Sequence, residues 1–288
     1  MSIGPLFRLS SCTSRVPQGG EESEPASLQL PAPVTAFHGG KGGTGTTTLL
    51  AESASLMAAS GYRVVVLDLD LYRGTAHFSL DVPVADGTHT IADLLPVLEE
   101  FDDRLMENAL SPAPCGAYLL PSPRSSEEAD LVRPSHAASL IEALRRNFDM
   151  VLIDTGASLT AVALCALENA DRAVLVITPE IACIGAALKL IGELRARGIE
   201  PLLVVNRSLG ERDLISNSEI ESFLGLRTSA VLPEETVRCR RLCDEGLFLN
   251  TQKCALGTAL RSLPLQLGVK PEILHFAKRG QVYKKGNA

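Results

Sequence analysis

Tryptophan is absent, and aromatic residues make up only 4% of the 288 residues. A chain so poor in rings lacks the stacking platform that sequence-specific RNA binding uses. Its plentiful Ala, Leu and Val favour helices packed on parallel strands instead. No apolar run reaches the roughly 18 residues that a membrane-spanning helix requires, and no secretory signal precedes the body. The seven cysteines scatter through apolar segments, as Cys165 and Cys183 do. Most read as small buried hydrophobes, in a reducing, cytoplasmic setting. Cys239, Cys243 and Cys254 are spaced C-x3-C-x10-C with no second close pair and no nearby histidine, which falls short of known zinc ligand sets.

What is present suits one main folded domain: 45% of the residues are hydrophobic, ample for a buried core at this length. The formal charge of −7 argues against a molecule built to coat nucleic acid, but it is unevenly spread. Lys270, Lys278, Arg279, Lys284 and Lys285 against Glu272 leave the tail at +4 and the rest at −11, a split that suits a frayed solvated end or attraction to an acidic surface. Residues 1–32, rich in Ser, Pro, Gly and Glu, read as a disordered leader or linker. Residues 33–268 read as the folded domain, and 269–288 as the basic tail.

Strands are expected at 34–37, 63–70, 117–120, 150–154, 173–177, 201–205 and 229–232. Helices are expected near 47–60, 91–95, 137–146, 162–167, 185–197, 216–224, 235–245 and 255–263, with Pro264 stopping the last. This alternation predicts an α/β fold, a mainly parallel, doubly wound sheet with helices on both faces. Right-handed crossovers bring the strand ends, and the acids on them, to one edge.

Between the first strand and first helix lies His38-Gly39-Gly40-Lys41-Gly42-Gly43-Thr44-Gly45-Thr46-Thr47-Thr48, with five glycines. Such a loop admits an anion close to the backbone, and the following helix adds partial positive charge. Against the phosphate-binding pattern G-x-x-x-x-G-K-[ST], Gly40, Gly45 and Thr47 fit, but Thr46 occupies the lysine position and Lys41 stands early in the loop. Backbone amides from Gly42 to Thr47 form the expected cradle, the Thr47 hydroxyl is the expected magnesium ligand, and Thr48 reaches an inner phosphate. Asp68, Asp70 and Asp154 end two of the apolar runs.

Lys41-Gly42-Gly43-Thr44-Gly45 followed by Thr47 resembles the deviant Walker A loop of the ParA/MinD family of ATPases. Gly45-Thr46-Thr47-Thr48 and Thr90-Ile91-Ala92-Asp93-Leu94 are similar to the narrower CpaE/TadZ branch of Flp (Tad) pilus assembly. The resemblance implies a P-loop NTPase fold with ATP and Mg2+ as ligands. It implies that Lys41 crosses a dimer interface to the partner's nucleotide and that Asp70 orients the attacking water. It further implies that Asp68 assists near the metal, that Asp154 holds magnesium through a water, that Asn206 beside Arg207 meets the adenine edge, and that the segment at Pro233 covers the base. Replacing the cis lysine by Thr46 removes a charge-assisted phosphate contact worth about 1.5–3 kcal/mol. Asp154-Thr155-Gly156 lacks the proline of MinD-like chains.

The expected function is an ATP-dependent dimerisation switch, cytoplasmic or peripheral to the inner membrane or a cell pole, that localises or regulates pilus assembly with pilus or secretion-machinery partners. Its rivals are a ParA-like DNA-partitioning ATPase, disfavoured by the −11 body, a MinD-like septum-site ATPase that cycles on membranes, and a catalytically silent scaffold of the same fold.

Overall fold

The apolar runs become strands of one sheet. The computed structural model describes residues 31–266 apart from 86, 101–105 and 107. Its strands are β1 (Val34–Gly39), β2 (Val64–Asp68), β3 (Ser111–Pro112), β4 (Tyr118–Leu120), β5 (Met150–Asp154), β6 (Arg172–Ile177), β7 (Leu202–Ser208) and β8 (Thr228–Pro233). They lie in the order β3-β4-β2-β5-β1-β6-β7-β8. Every pairing is parallel except that of edge strand β3, which runs antiparallel to β4. The expected leader as far as residue 30 and the basic tail lie outside the described residues.

The labelled helices are α1 (Thr46–Ala59), α2 (Ala76–Ser79), α3 (Ile91–Leu94), α4 (Ser126–Ala129), α5 (Pro134–Asn147), α6 (Ala161–Glu168), α7 (Ile181–Arg195), α8 (Asn217–Leu224), α9 (Thr236–Asp244) and α10 (Ala255–Gln266). Two cores follow from the period of two along each strand. Val34, Ala36, Val65, Leu67, Val151 and Ile153 face α5, α6, α7 and α8. Phe37, Val64, Val66, Leu152, Val174 and Val176 face α1 and α10. Leu50 of α1 is fully buried, and covering such a side chain contributes about 1.5–3 kcal/mol.

Three local expectations are corrected. Helix α10 runs through Pro264 to Gln266. Proline gives up its amide hydrogen bond and crowds the carbonyl one turn earlier, but near the helix end buried Leu260 and Leu263 hold the turn in place. Helix α7 starts four residues before the expected 185, because the apolar residues Cys183 and Ile184 pack into the core. Cys165, Cys239, Cys243 and Cys254 are half-buried rather than core residues, and of the described cysteines Cys115 and Cys183 are buried. The Thr90–Asp93 motif has a local structural role: Asp93 Oδ2 accepts the Thr90 N–H at 2.8 Å, capping α3, and Arg124 pairs with the same carboxylate at 2.9 Å.

Candidate functional site

The glycine loop is pinned at its base by the strands on either side of it. Gly39 N–H donates to Gly156 O, and Gly40 N–H to Val176 O, both at 2.8 Å. Gly45, at φ 91, turns the chain into α1, and a Cβ there would stand 2.5 Å from Asn206 Nδ2. Only glycine satisfies both conditions. Helix α1 starts with no side-chain cap and no acidic residue in its first turn. The first amides of a helix have no intrahelical partner and carry partial positive charge, so this end of α1 is suited to an anionic ligand.

Strand order brings the acids to that end. Asp68 and Asp154 are register partners on β2 and β5. Asp154 Oδ2 accepts the Thr47 hydroxyl at 2.5 Å, which links the strand-ending acid to the loop's candidate magnesium ligand. Burial pushes both carboxyls above the ordinary range, and Asp154 raises Asp68 further. A paired buried acid of this kind takes up a cation readily, because the cation offsets both desolvation and repulsion. Thr47, Asp68 and Asp154 are therefore the candidate oxygen ligands for a hard divalent ion. Asp68 also organises the chain after β2, accepting the amides of Asp70 at 3.2 Å and Ala76 at 3.1 Å.

Asp70 stands at the edge of this group. Burial raises its pKa, and Arg73, with Nε 4.0 Å from Oδ1, opposes the rise. Arg73 reaches across to Ser158 Oγ at 3.0 Å, joining the segments that follow β2 and β5. A Cβ on Gly156 would lie 2.5 Å from the Asp70 carboxylate, so the glycine of Asp154-Thr155-Gly156 makes room for that acid.

A cleft of about 280 Å3 opens beside the loop, lined by Gly45, Thr48, Asn206, Arg207, Pro233 and Cys239 among others. It unites loop residues with the base-contacting residues expected from 206, 207 and 233. Asn206 Nδ2 donates to Thr44 O at 2.8 Å, so the carboxamide also braces the loop. Arg207 sits at φ 59, where β7 and β8 fall out of register. For a residue other than glycine this conformation costs about 1–2 kcal/mol, a strain that the irregular strand end accommodates beside the cleft.

Two loop residues behave in ways that spacing does not reveal. The Thr46 side chain turns inward, 7% exposed, with its hydroxyl 3.0 Å from that of Thr44. It fills the interior of the loop and presents no charge. Lys41 pairs with Glu180, just ahead of α7. Gly42 and Gly43 border open space. Sequence reasoning passed over Glu180, Arg73 and Ser158. Their roles depend on partners in distant segments, and no motif marks them. Among the described residues, no helix is long and apolar enough to cross a membrane.

Comparison with known proteins agrees with this geometry. A family profile described as an AAA domain matches residues 32–200. An uncharacterised ATP-binding protein of Methanocaldococcus jannaschii is 30% identical over 209 residues, spanning 72% of this chain and 76% of that protein. A ParA family ATPase from Chlorobium tepidum TLS superposes with a TM-score of 0.73 at 22% identity, covering 82% of this chain and 98% of the other. The septum site-determining protein MinD of Pyrococcus horikoshii OT3, solved with Mg-ADP, gives 0.70 at 26% identity, covering 84% and 97%. A phosphate loop between β1 and α1, acids at the ends of β2 and β5 and this likeness along most of the chain place the protein in the ParA/MinD family of P-loop ATPases.

Proposed function

We propose that this protein is a Mg-ATP-dependent dimerisation switch of the CpaE/TadZ type, serving Flp/Tad pilus assembly in the cytoplasm or at the inner face of the membrane. The observation that carries the nucleotide reading is the convergence of the uncapped start of α1, the Thr47–Asp154 contact and a cleft lined by Asn206, Arg207 and Pro233. Thr46 and the Thr90–Asp93 motif support the branch.

In this reading the loop amides from Gly42 to Thr47 hold the phosphates, and Thr48 contacts an inner one. Thr47, with Asp68 and Asp154 through water, holds Mg2+, which neutralises phosphate charge when bound. Asp70 orients the attacking water, and Gly156 leaves it the space to do so. Lys41 exchanges Glu180 for the partner's phosphate and supplies in trans the cation that Thr46 does not. Hydrolysis then requires the dimer and is slow. A rate of zero in the dimer would mark the chain as a silent scaffold.

The likeness to MinD supports a second reading, a septum-site or other positioning ATPase with a membrane contact. Flotation with anionic liposomes tests that membrane contact. The −11 charge outside the tail disfavours DNA as the partner.

The test is molar mass by light scattering with Mg-ATP, with Mg-ADP and without nucleotide, on wild type and Lys41→Ala. The expected result is a dimer with ATP alone that Lys41→Ala abolishes. A mass indifferent to ATP, together with no ATP binding, would overturn the switch.

A further inference from the structure

Helix α9 carries Cys239 and Cys243 one turn apart, and both line the cleft beside Asn206, Arg207 and Pro233. Side chains four apart on a helix share a face. Both sulfurs belong to half-buried residues, whereas Cys115 and Cys183 are enclosed in the core. Cys243 also borders the adjoining groove of about 890 Å3, lined by His77, Phe78 and Pro83 among others. A substituent on its sulfur therefore has room to enter and a cleft to obstruct.

The two thiols interact. A hydrogen bond from Cys239 holds the Cys243 thiol below the usual cysteine range, against the opposing effects of burial, Glu52 and Asp244. The same bond, together with burial, pushes Cys239 up. Burial likewise raises Cys115 and Cys165. A thiol held below the usual range thus stands half-buried in the wall of the candidate nucleotide cleft, a condition that favours thiol chemistry there.

We propose that Cys243 is a thiol-modification site that takes a low-molecular-weight disulfide of the glutathione class, and that the resulting adduct and the nucleotide base exclude one another. The second half rests on the nucleotide reading above. In the step, the Cys243 thiolate attacks one sulfur of the disulfide, a new S–S bond forms and the reagent's own S–S bond breaks. The departing thiolate takes a proton from water. Cys243 is oxidised, half of the reagent is reduced, and excess free thiol reverses the exchange. Cys239 acts as the hydrogen-bond donor that favours the attacking thiolate.

The test treats the full chain with glutathione disulfide, with and without Mg-ATP, and follows each cysteine by peptide mass spectrometry. A fluorescent ATP analogue is titrated in parallel. Cys243 is expected to react about tenfold faster than Cys165, in line with its greater thiolate fraction. Mg-ATP is expected to slow it, and Cys239→Ala is expected to slow it without nucleotide. Modification is expected to weaken analogue binding by about tenfold or more, with recovery on reduction. Cys243→Ser, whatever its own starting affinity, is expected to lose nothing further on treatment. Equal reaction at Cys165, or an undiminished loss of binding in Cys243→Ser, would overturn the proposal. If untreated wild type fails to bind the analogue, the nucleotide reading and the exclusion fail, while the relative reaction rates still decide the thiol chemistry.

Discussion

Glu52 lies in α1 with only 2% of its surface exposed. Its Oε1 accepts the Leu249 N–H at 2.7 Å, and its Oε2 accepts the Asn250 N–H at 2.9 Å and Asn250 Nδ2 at 2.6 Å. This carboxyl fastens the phosphate-loop helix to residues 249–251, and Leu249 is part of the cleft wall. Burial outweighs the three hydrogen bonds and raises the pKa from 4.5 to about 7. Between those values the folded chain retains a proton that the unfolded chain has released, so stability falls as pH rises through the window. At about 1.36 kcal/mol per unit the loss is about 3 kcal/mol, complete above about pH 7. Glu52→Gln keeps the shape but cannot titrate. Urea unfolding of both proteins from pH 4.5 to 8 is expected to show wild type losing about 3 kcal/mol relative to the variant. A difference that stays flat with pH would refute the claim that desolvation dominates at this residue, as would one that moves in favour of wild type.

Thr46→Lys supplies the missing cation and is expected to tighten ATP binding by about 10- to 100-fold. It is also expected to cost about 1 kcal/mol of stability through the lost Thr44 hydroxyl contact. Nucleotide titration and urea melts measure the two effects, and an unchanged affinity would contradict the role given to that position. Gly156→Ala introduces a Cβ at φ 65 against the Asp70 carboxylate and is expected to cost about 2 kcal/mol or more. A neutral result in denaturant melts would show that Asp70 moves aside freely. His38 is buried, with Nδ1 2.8 Å from Thr155 Oγ1, and burial lowers its pKa from 6.5 to about 4. The stability tied to its neutral form is expected to be present above pH 6.5 and lost as pH falls toward 4, about 3 kcal/mol in all. Histidine NMR titration reads this directly, and a midpoint near 6.5 would disprove it.

Much of the site was legible because its signals are local. A glycine loop between a strand and a helix follows from spacing, and buried strands ending in Asp68 and Asp154 follow from apolar runs closed by acids. Asn206, Arg207 and Pro233 were found only through family resemblance, and folding gathers them into one cleft with Gly45 and Thr48. Pro264 and the start of α7 misled local reasoning, because buried leucines and core contacts outweighed the usual stop and start signals.

The sequence by itself determined the alternating α/β order, the phosphate loop and the absence of a lysine at Thr46, each a matter of neighbouring residues and steric or hydrogen-bonding preference. Tertiary structure alone decided that Lys41 pairs with Glu180 139 positions away, that Thr47 meets Asp154 at a separation of 107, that Asn206 braces Thr44 at 162 and that Glu52 holds Leu249 at 197. The reason is sheet order. With β1 placed between β5 and β6, the ends of strands distant along the chain converge on one loop, and which side chains meet there depends on crossover and register, which no local pattern encodes.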